Sequence, residues 1–273
     1  MSDRVSTSID DQGVADVRLN RPDKRNALDG AMFRGLAEAG EELKSNPKVR
    51  VVVLSGEGES FCAGLDFSSF QSMAGGDGAA SRDSSDSPGT LSPGGITHLG
   101  QQVAWVWQEV PVPVIAAVHG HALGGGIQIA LGADIRFVHP DTKLSVRELH
   151  WGLVPDMTGT LFLSRLVGID VAKELTFTAR MISGTEAGEL GLATHVTDTP
   201  RDDALALAAE IAGRNPEAVR GAKALFNRLA NADAAEQFAE ERRVIGGLIG
   251  SPNQIEAITA NFENRPPTFG DPT

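Results

Sequence analysis

The stretch PVIAAVHGHALGGGIQIAL, residues 113–131, is the part of the sequence that decides the fold. Its first half is apolar and rich in β-branched residues, so residues 112–118 are predicted to form a buried strand. A run of three glycines at 124–126 follows, and the apolar residues 127–131 predict a helix. A strand that passes through a glycine turn into a helix can present backbone N–H groups with no side chain in the way.

A second glycine turn, SFCAGLD at residues 60–66, follows another strand predicted over 49–54. Two N–H groups that converge from such turns would form an oxyanion hole, in which backbone donors stabilise a developing negative charge. The same glycines would also suit two tight turns without any ligand. Neither turn has the G-x-G-x-x-G spacing of a dinucleotide-binding loop, and the sequence contains no P-loop motif.

The rest of the chain alternates strand and helix patterns. Alternating apolar and polar residues predict a strand over 14–19, and apolar residues at helical spacing predict a helix from an N-cap at Asp29 to Leu43. A further helix is predicted over 96–109. This order of strands and helices is typical of an α/β protein built from βαβ units.

The last third of the chain is helical in pattern, and this divides the sequence into two regions. We predict a core over residues 1–199 and a C-terminal helical oligomerisation region with a tail over 200–273. Capping boxes are predicted at Ser183 and at Thr199, each of which has an acidic residue three positions later. Residues 71–95 are rich in Gly, Ser, Asp and Pro, so we expect a long mobile loop within the core.

The composition excludes several classes of function. The 24 Lys and Arg against 36 Asp and Glu give a net charge of −12, which argues against nucleic acid as a partner. No apolar run approaches the ~20 residues of a membrane span, and the N-terminus lacks a secretory signal, so we expect a cytoplasmic protein with no membrane partner. Cys62 is the single cysteine and no residue cluster has metal-ligand spacing, so neither an internal disulfide nor a metal is expected.

Five segments of the sequence resemble the motifs of a known family. They are NRPxxxNAL (20–28), FCAGLD (61–66), PVIAAVxGxALGGG (113–126), RExxxGLVP (147–155) and ISxxxAxxxGLA (182–193). In this order they resemble the crotonase superfamily, the enoyl-CoA hydratase/isomerase family. The five segments together are far more specific than any one of them.

The resemblance implies an α/β fold, a crotonase-like spiral of ββα units with a C-terminal helical subdomain, assembled as a homotrimer or a dimer of trimers. It also implies an acyl-CoA thioester as the substrate, with coenzyme A as part of that substrate and no separate cofactor. The thioester oxygen would accept hydrogen bonds from the N–H groups of Leu65 and Gly125. Each of these donors would stabilise an enolate by ~3 kcal/mol.

By the same resemblance, six residues from the first two motifs would contact coenzyme A. Lys24 and Arg25 would meet its phosphates, although the same pair would also suit a solvated surface. The other four residues are Ala27, Cys62, Ala63 and Asp66. Of these, Cys62 and Ala63 would line the adenine or pantetheine side of the bound coenzyme.

The residues that transfer protons decide the reaction. Hydratases of the family use two glutamates, whereas this chain has Gln128 at the first position and Glu148 at the second. An amide cannot shuttle protons near neutral pH, so the two-glutamate pattern for water addition is incomplete. Asp156 replaces a glycine of ordinary hydratases, and its spacing from Glu148 resembles the dienoyl-CoA isomerase branch. Two carboxylates in an apolar pocket would raise one pKa, as a general acid requires.

We therefore predict double-bond isomerisation by Glu148 with Asp156, through an enolate held in the oxyanion hole. One alternative is an enoyl-CoA hydratase in which Gln128 positions water and Glu148 makes both proton transfers. Another is a non-catalytic acyl-CoA-binding protein. Asp156 would also suit a turn or a helix cap, and Glu148 would also suit a surface ion pair with Arg147.

Overall fold

The computed structural model describes residues 4–67, 95–230 and 233–268. In these residues the strands are β1 (Val5–Ile9), β2 (Val14–Leu19), β3 (Val51–Gly56), β4 (Val114–Val118), β5 (His121–Leu123), β6 (Ile135–Val138), β7 (Lys143–Ser145) and β8 (His195–Val196). Six of them form one sheet in the order β1-β2-β3-β4-β6-β8, while β5 and β7 form a separate pair.

The central sheet is parallel except at its first edge, where β1 runs antiparallel to β2. The strands β3 and β4 lie in its middle, and Val52 of β3 is opposite Val114 of β4. Every residue of these two strands is buried, as expected for a parallel sheet that is covered on both faces. The strand predictions at 14–19 and 112–118 are confirmed, although β4 begins two residues later than predicted.

Helices surround the sheet and make up most of the C-terminal part of the described chain. They are α1 (Gly30–Ser45), α2 (Leu99–Glu109), α3 (Gly125–Leu131), α4 (Gly159–Val167), α5 (Ile169–Thr178), α6 (Gly184–Glu189), α7 (Pro200–Ala212), α8 (Pro216–Ala230), α9 (Ala234–Leu248) and α10 (Pro252–Phe262). Short 3₁₀ helices occupy Pro22–Lys24 and Glu148–Trp151. None of the described helices is long and apolar enough to cross a membrane.

The core has two parts because successive side chains of a strand point to opposite faces of the sheet. On one face, Val52 and Leu54 of β3 belong to a large apolar cluster that includes residues of α1 and α2. On the other face, Val53 packs in a smaller cluster with Ala204 and Ala208 of α7. Helix α7, the first helix beyond residue 199, is therefore packed directly on the sheet. The division of the chain into two regions at residue 199 stays a prediction.

Of the three predicted helix starts, the one at Asp29 is built as expected. At Ser183 only half of the predicted capping box forms, because the Glu186 carboxylate pairs with Arg180. The Asp29 carboxylate accepts a hydrogen bond from the Met32 N–H at 2.8 Å, and the Ser183 hydroxyl accepts one from the Glu186 N–H at 3.1 Å. The prediction of a capping box at Thr199 is wrong. Its hydroxyl donates to the Asp203 carboxylate at 3.1 Å, and this contact takes the place of a bond to the helix backbone. The predicted loop 71–95 lies, except for residue 95, outside the described residues.

Candidate active site

The two glycine turns singled out in the sequence lie side by side. The Cys62 N–H donates to the His121 carbonyl at 2.9 Å, and the Leu123 N–H donates to the Cys62 carbonyl at 3.1 Å. Gly64 has φ +88°, and a Cβ atom at this position would lie 2.6 Å from the Leu123 carbonyl oxygen. The close approach of the two turns therefore requires glycine at 64.

Several backbone donors of these turns are unused within the described residues, and each turn contributes at least one of them. The Leu28 N–H donates to the Gly64 carbonyl, and the Gly124 N–H donates to the Ser145 carbonyl, so the neighbouring groups are paired. By contrast, the N–H groups of Leu65 and Gly125 have no acceptor among the described residues. Two free donors on adjoining turns are the feature that an oxyanion hole needs.

The carboxyl group of Glu148 lies beside the second turn. Gly124 has φ +52°, and a Cβ atom built on it would lie 3.3 Å from Glu148 Oε1. Glu148 itself is buried at the start of the 3₁₀ helix that follows β7. The alternative of a surface ion pair with Arg147 is wrong, because Glu148 is buried and its carboxylate is bonded by Gln128, while the Arg147 guanidinium donates to the Ala179 carbonyl at 3.2 Å.

The two oxygens of Glu148 have different surroundings. Oε1 accepts a hydrogen bond from Gln128 Nε2 at 2.6 Å, whereas Oε2 is buried without a partner among the described residues. Burial raises the pKa of Glu148 to about 7, although the hydrogen bond from Gln128 acts in the opposite direction. A carboxyl with this pKa can both accept and donate a proton near neutral pH.

The amide of Gln128 is held in one orientation. Its Oε1 accepts hydrogen bonds from the Met157 N–H at 3.0 Å and the Gly159 N–H at 2.9 Å. Because the oxygen is committed to these two donors, the NH₂ group must face Glu148. Gln128 thus connects Glu148 to the turn that follows Asp156.

Asp156 lies between Pro155 and this turn. Burial, and after it the negative charges of Glu148 and Glu241, together raise its pKa to about 8. The alternative that Asp156 caps the next helix is wrong, because Thr158 is the N-cap residue of α4. The N–H groups of the turn donate hydrogen bonds to the side chains of Gln128 and Glu241. The charge of Glu148 thus acts on Asp156, and burial raises the pKa of both carboxyls toward neutrality.

The predicted contacts to coenzyme A fall into two groups. Lys24, Arg25, Ala27 and Ala63 all have accessible surface, and Arg25 is next to Ala63, whose N–H donates to the Arg25 carbonyl at 2.9 Å. Neither Lys24 nor Arg25 forms an ion pair with any described residue. Both charges are thus free to meet an anionic ligand.

The other two predicted contacts have structural partners. Cys62 is fully buried, its thiol donates to the Asn26 carbonyl at 3.1 Å, and burial raises the pKa of the thiol to about 12. The expectation that Cys62 lines the ligand site is therefore not met, because its side chain faces the core. Asp66 accepts a 2.6 Å hydrogen bond from Arg21, so its carboxylate already has a cationic partner.

Two C-terminal helices complete the apolar side of the site. Leu65 packs against an apolar cluster of Leu153, Ile245 and Ile258, in which the last two residues come from α9 and α10. The rings of Trp151 and Phe262 lie 6.2 Å apart. The predicted C-terminal helical region thus lies against the same turns that hold Glu148 and Leu65.

One buried acidic residue of this region was not predicted from the sequence. Glu241 of α9 accepts hydrogen bonds from the Thr158 N–H at 3.3 Å and from the Gln101 side chain at 3.2 Å. It lies 83 positions from Thr158 in the sequence, so no local spacing could connect the two. A Glu inside a helix pattern is usually exposed. No group of three or more His, Cys, Asp or Glu within the described residues could hold a metal ion.

The sequence of this chain is similar to a known protein family and to several of its members. A family described as enoyl-CoA hydratase/isomerase matches residues 10–272 of this chain. The chain is 34% identical over 255 residues to a short-chain-enoyl-CoA hydratase of Clostridium acetobutylicum, with 92% of each chain covered. It is 32% identical over 267 residues to the mitochondrial methylglutaconyl-CoA hydratase of Homo sapiens, with 95% of this chain and 74% of that protein covered.

Solved structures have the same fold. An enoyl-CoA hydratase/isomerase from Pseudoalteromonas atlantica superposes with a TM-score of 0.84 and 26% identity over 98% of this chain and all of that one. One from Mycobacterium paratuberculosis gives a TM-score of 0.84 and 25% identity over 95% of this chain and 98% of that one. The crotonase-like α/β fold predicted from the sequence is therefore confirmed. The chain belongs to the enoyl-CoA hydratase/isomerase family.

Proposed function

We propose that this protein moves a carbon–carbon double bond in an acyl-CoA thioester by proton transfer. The observation that carries the proposal is the Glu148 carboxyl, which has one oxygen fixed by Gln128 and the other buried without a partner. Such a group is ready to take a proton from a substrate carbon. Asp156, with its raised pKa, is the second acid of the reaction.

In the proposed reaction the thioester oxygen lies between the N–H groups of Leu65 and Gly125. Glu148 takes a proton from the acyl chain, and the electron pair of the broken C–H bond moves to the thioester oxygen to form an enolate. Asp156 gives a proton to a more distant carbon as the enolate collapses, and the double bond ends in a new position. Loss of one oxyanion donor would slow the reaction by about 10²–10³-fold.

The two acids can divide these roles because their protonation is coupled. Near pH 7 the pair, with pKa values of about 7 and 8, holds between one and two protons. One carboxyl can then act as the base while the other is an acid. Two groups with pKa values on either side of the working pH are the usual arrangement for such chemistry.

Water addition is the second candidate, and the names of the relatives favour it, since the Clostridium acetobutylicum and human proteins are both called hydratases. In this alternative Glu148 would make both proton transfers and Gln128 would position the water. The geometry gives less support, because Gln128 Oε1 is already used by two N–H donors. Only its second amide hydrogen remains for a water molecule.

For binding, we propose that Lys24 and Arg25 meet the phosphates of coenzyme A, with Ala27 and Ala63 next to them. Coenzyme A enters as part of the substrate, and the proposal needs no separate cofactor. We also propose a homotrimer or a dimer of trimers, as in the family the sequence resembles. A cytoplasmic location stays part of the proposal.

The test is mass spectrometry of 2-enoyl-, 3-enoyl- and 3,5-dienoyl-CoA esters incubated with the protein in D₂O. Isomerisation predicts deuterium uptake and a moved double bond without added water. A mass gain of one water on the 2-enoyl ester would instead support the hydratase. Binding of an ester with no exchange in any of them would support an acyl-CoA-binding protein and contradict both reactions.

The matched variants are Glu148→Gln and Glu38→Gln. Glu148→Gln keeps the size of the side chain and removes the base, so deuterium uptake should be lost while ester binding persists. Glu38 is an exposed carboxylate on α1, so its replacement should leave uptake unchanged. Full uptake by Glu148→Gln would refute the role of Glu148.

A further inference from the structure

The turn that follows Asp156 is held by side chains from two distant helices. The N–H groups of Met157 and Gly159 donate to Gln128 Oε1 of α3, and the N–H of Thr158 donates to Glu241 Oε2 of α9 at 3.3 Å. Three consecutive backbone donors are thus satisfied by side-chain acceptors. Gln128 already has a role toward Glu148, but Glu241 has none in the proposed reaction.

The conformation of this turn needs support. Thr158 has φ +73°, in the left-handed region that a β-branched residue rarely adopts. Its hydroxyl is also buried without a partner among the described residues. A strained conformation of this kind persists only where the surroundings fix it. Here the hydrogen bonds to Gln128 and Glu241 provide that constraint.

Glu241 is a buried carboxylate held by neutral donors. Its Oε1 accepts the Thr160 hydroxyl at 2.5 Å, and its Oε2 accepts the Gln101 amide at 3.2 Å as well as the Thr158 N–H. Only 4% of the residue is exposed. The neighbouring Arg242 directs its guanidinium to the Gln101 side chain at 2.8 Å. Burying a carboxylate is costly, and hydrogen bonds from three groups are what make it tolerable here.

We propose that Glu241 is a positioning residue for the acid pair: it holds the 157–159 turn, and through that turn it fixes the position of the adjacent Asp156. The catalytic consequence rests on the proposed function, but the positioning itself does not. The negative charge of Glu241 has a second effect, because it favours the neutral form of Asp156. The groups whose charges act on Asp156 are Glu148 and Glu241, and both disfavour its ionisation.

The first experiment measures positioning without any substrate. Hydrogen exchange of the full-length protein is followed in the peptide that contains residues 157–159, for wild type, Glu241→Ala and Glu241→Gln. The matched control is Glu240→Gln, which removes an exposed carboxylate one position away that pairs with Arg243. We expect exchange in Glu241→Ala to be about 10–100-fold faster in this peptide, from the loss of a charge-assisted hydrogen bond.

Glu241→Gln keeps a side-chain acceptor, so its exchange should lie between wild type and Glu241→Ala. The control should stay within about twofold of wild type. Unchanged exchange of residues 157–159 in both Glu241 variants would overturn the inference. If Glu241→Ala does not fold, the comparison of Glu241→Gln with Glu240→Gln decides in the same way.

The second experiment uses the pH profile of deuterium uptake into the acyl-CoA ester. Removing the Glu241 charge in Glu241→Gln lets Asp156 lose its proton at lower pH, so the alkaline limb should move down by about 0.5–1 pH unit. A residue that only stabilised the fold would lower the rate without moving this limb. A limb that stays in place would contradict the effect on Asp156. If wild type shows no deuterium uptake into any ester, the proposed function fails. The hydrogen-exchange result for residues 157–159 then decides the inference by itself.

Discussion

Replacing Gln128 by Glu is the most informative change to this site. In the present structure Gln128 Nε2 lies 2.6 Å from Glu148 Oε1, and Gln128 Oε1 accepts two backbone N–H groups. With one carboxylate oxygen, a Glu at 128 would still accept hydrogen bonds from the Met157 and Gly159 N–H groups. Its other oxygen would then face Glu148, so one of the two carboxyls must hold a proton to bridge them.

The size of the effect follows from the distance. Two unit charges about 3 Å apart repel by about 5–6 kcal/mol at an effective dielectric constant of about 20. This corresponds to about four pKa units above the value of about 7 that burial already gives Glu148, so the pair keeps a shared proton well above about pH 9. An exposed Glu in the unfolded chain has a pKa of about 4.3. The folded variant therefore binds about one more proton than its unfolded chain up to about pH 9, whereas at Glu148 folded wild type does so only up to about pH 7.

The sign of the pH dependence is fixed by this raised pKa. A carboxyl whose pKa is raised by folding contributes fully to stability below its unfolded pKa, and that contribution is lost as the pH rises through the folded value. The loss is about 1.4 kcal/mol per pH unit. Between about pH 7 and about pH 9, where folded wild type has lost the Glu148 proton and the variant keeps its shared proton, we expect Gln128→Glu to lose about 2–3 kcal/mol more than wild type.

The assay is urea unfolding at several pH values, with the m-value checked for constancy. The control is Gln12→Glu, which makes the same chemical change at an exposed position and should show no added slope. A stability difference between Gln128→Glu and wild type that does not change with pH would refute the contact between the two side chains. Water addition to 2-enoyl-CoA by the same variant is measured in parallel, and a sharp rise would favour the hydratase.

Three further predictions concern other parts of the site. Gly125→Ala places a Cβ 2.7 Å from Leu28 Cδ1 and 2.9 Å from Met157 Sδ. We therefore expect a free energy of unfolding about 1–3 kcal/mol lower in urea and a loss of deuterium uptake. Wild-type stability and uptake in this variant would contradict the crowding. Deuterium uptake by wild type should be greatest between about pH 7 and 8, since Glu148 is protonated below this range and Asp156 is ionised above it. An uptake rate that does not change between about pH 5 and about pH 9 would exclude the pair. The Cys62 thiol should resist a thiol reagent in the native protein at about pH 8 and react fully in urea, because burial raises its pKa to about 12; rapid native labelling would show that the thiol is accessible.

Much of the framework could be predicted from local sequence. The strands β2 and β4, the N-cap at Asp29 and the helix after the glycine triplet all follow from residue periodicity and capping chemistry over a few positions. Local prediction failed where a side chain had a competing partner. Thr199 was expected to cap α7, but Asp203 accepts its hydroxyl.

The candidate site was predictable only in part. The two glycine turns were visible because glycine allows the backbone conformations that they adopt, and the sequence placed each one after a strand. Which side chains face the ligand could not be read in the same way. Cys62 lies within a glycine turn, yet its thiol points into the core toward the Asn26 carbonyl.

The sequence by itself determined the order of strands and helices, the two glycine turns and the presence of Gln128 where a second glutamate would complete a hydratase pattern. The tertiary structure decided how these parts act together. It placed Gln128 between Glu148 and the turn after Asp156, and it brought Glu241 from α9 to the same turn. Local patterns report a few neighbouring residues, whereas hydrogen bonds between distant side chains and the pKa shifts caused by burial exist only once the chain has packed.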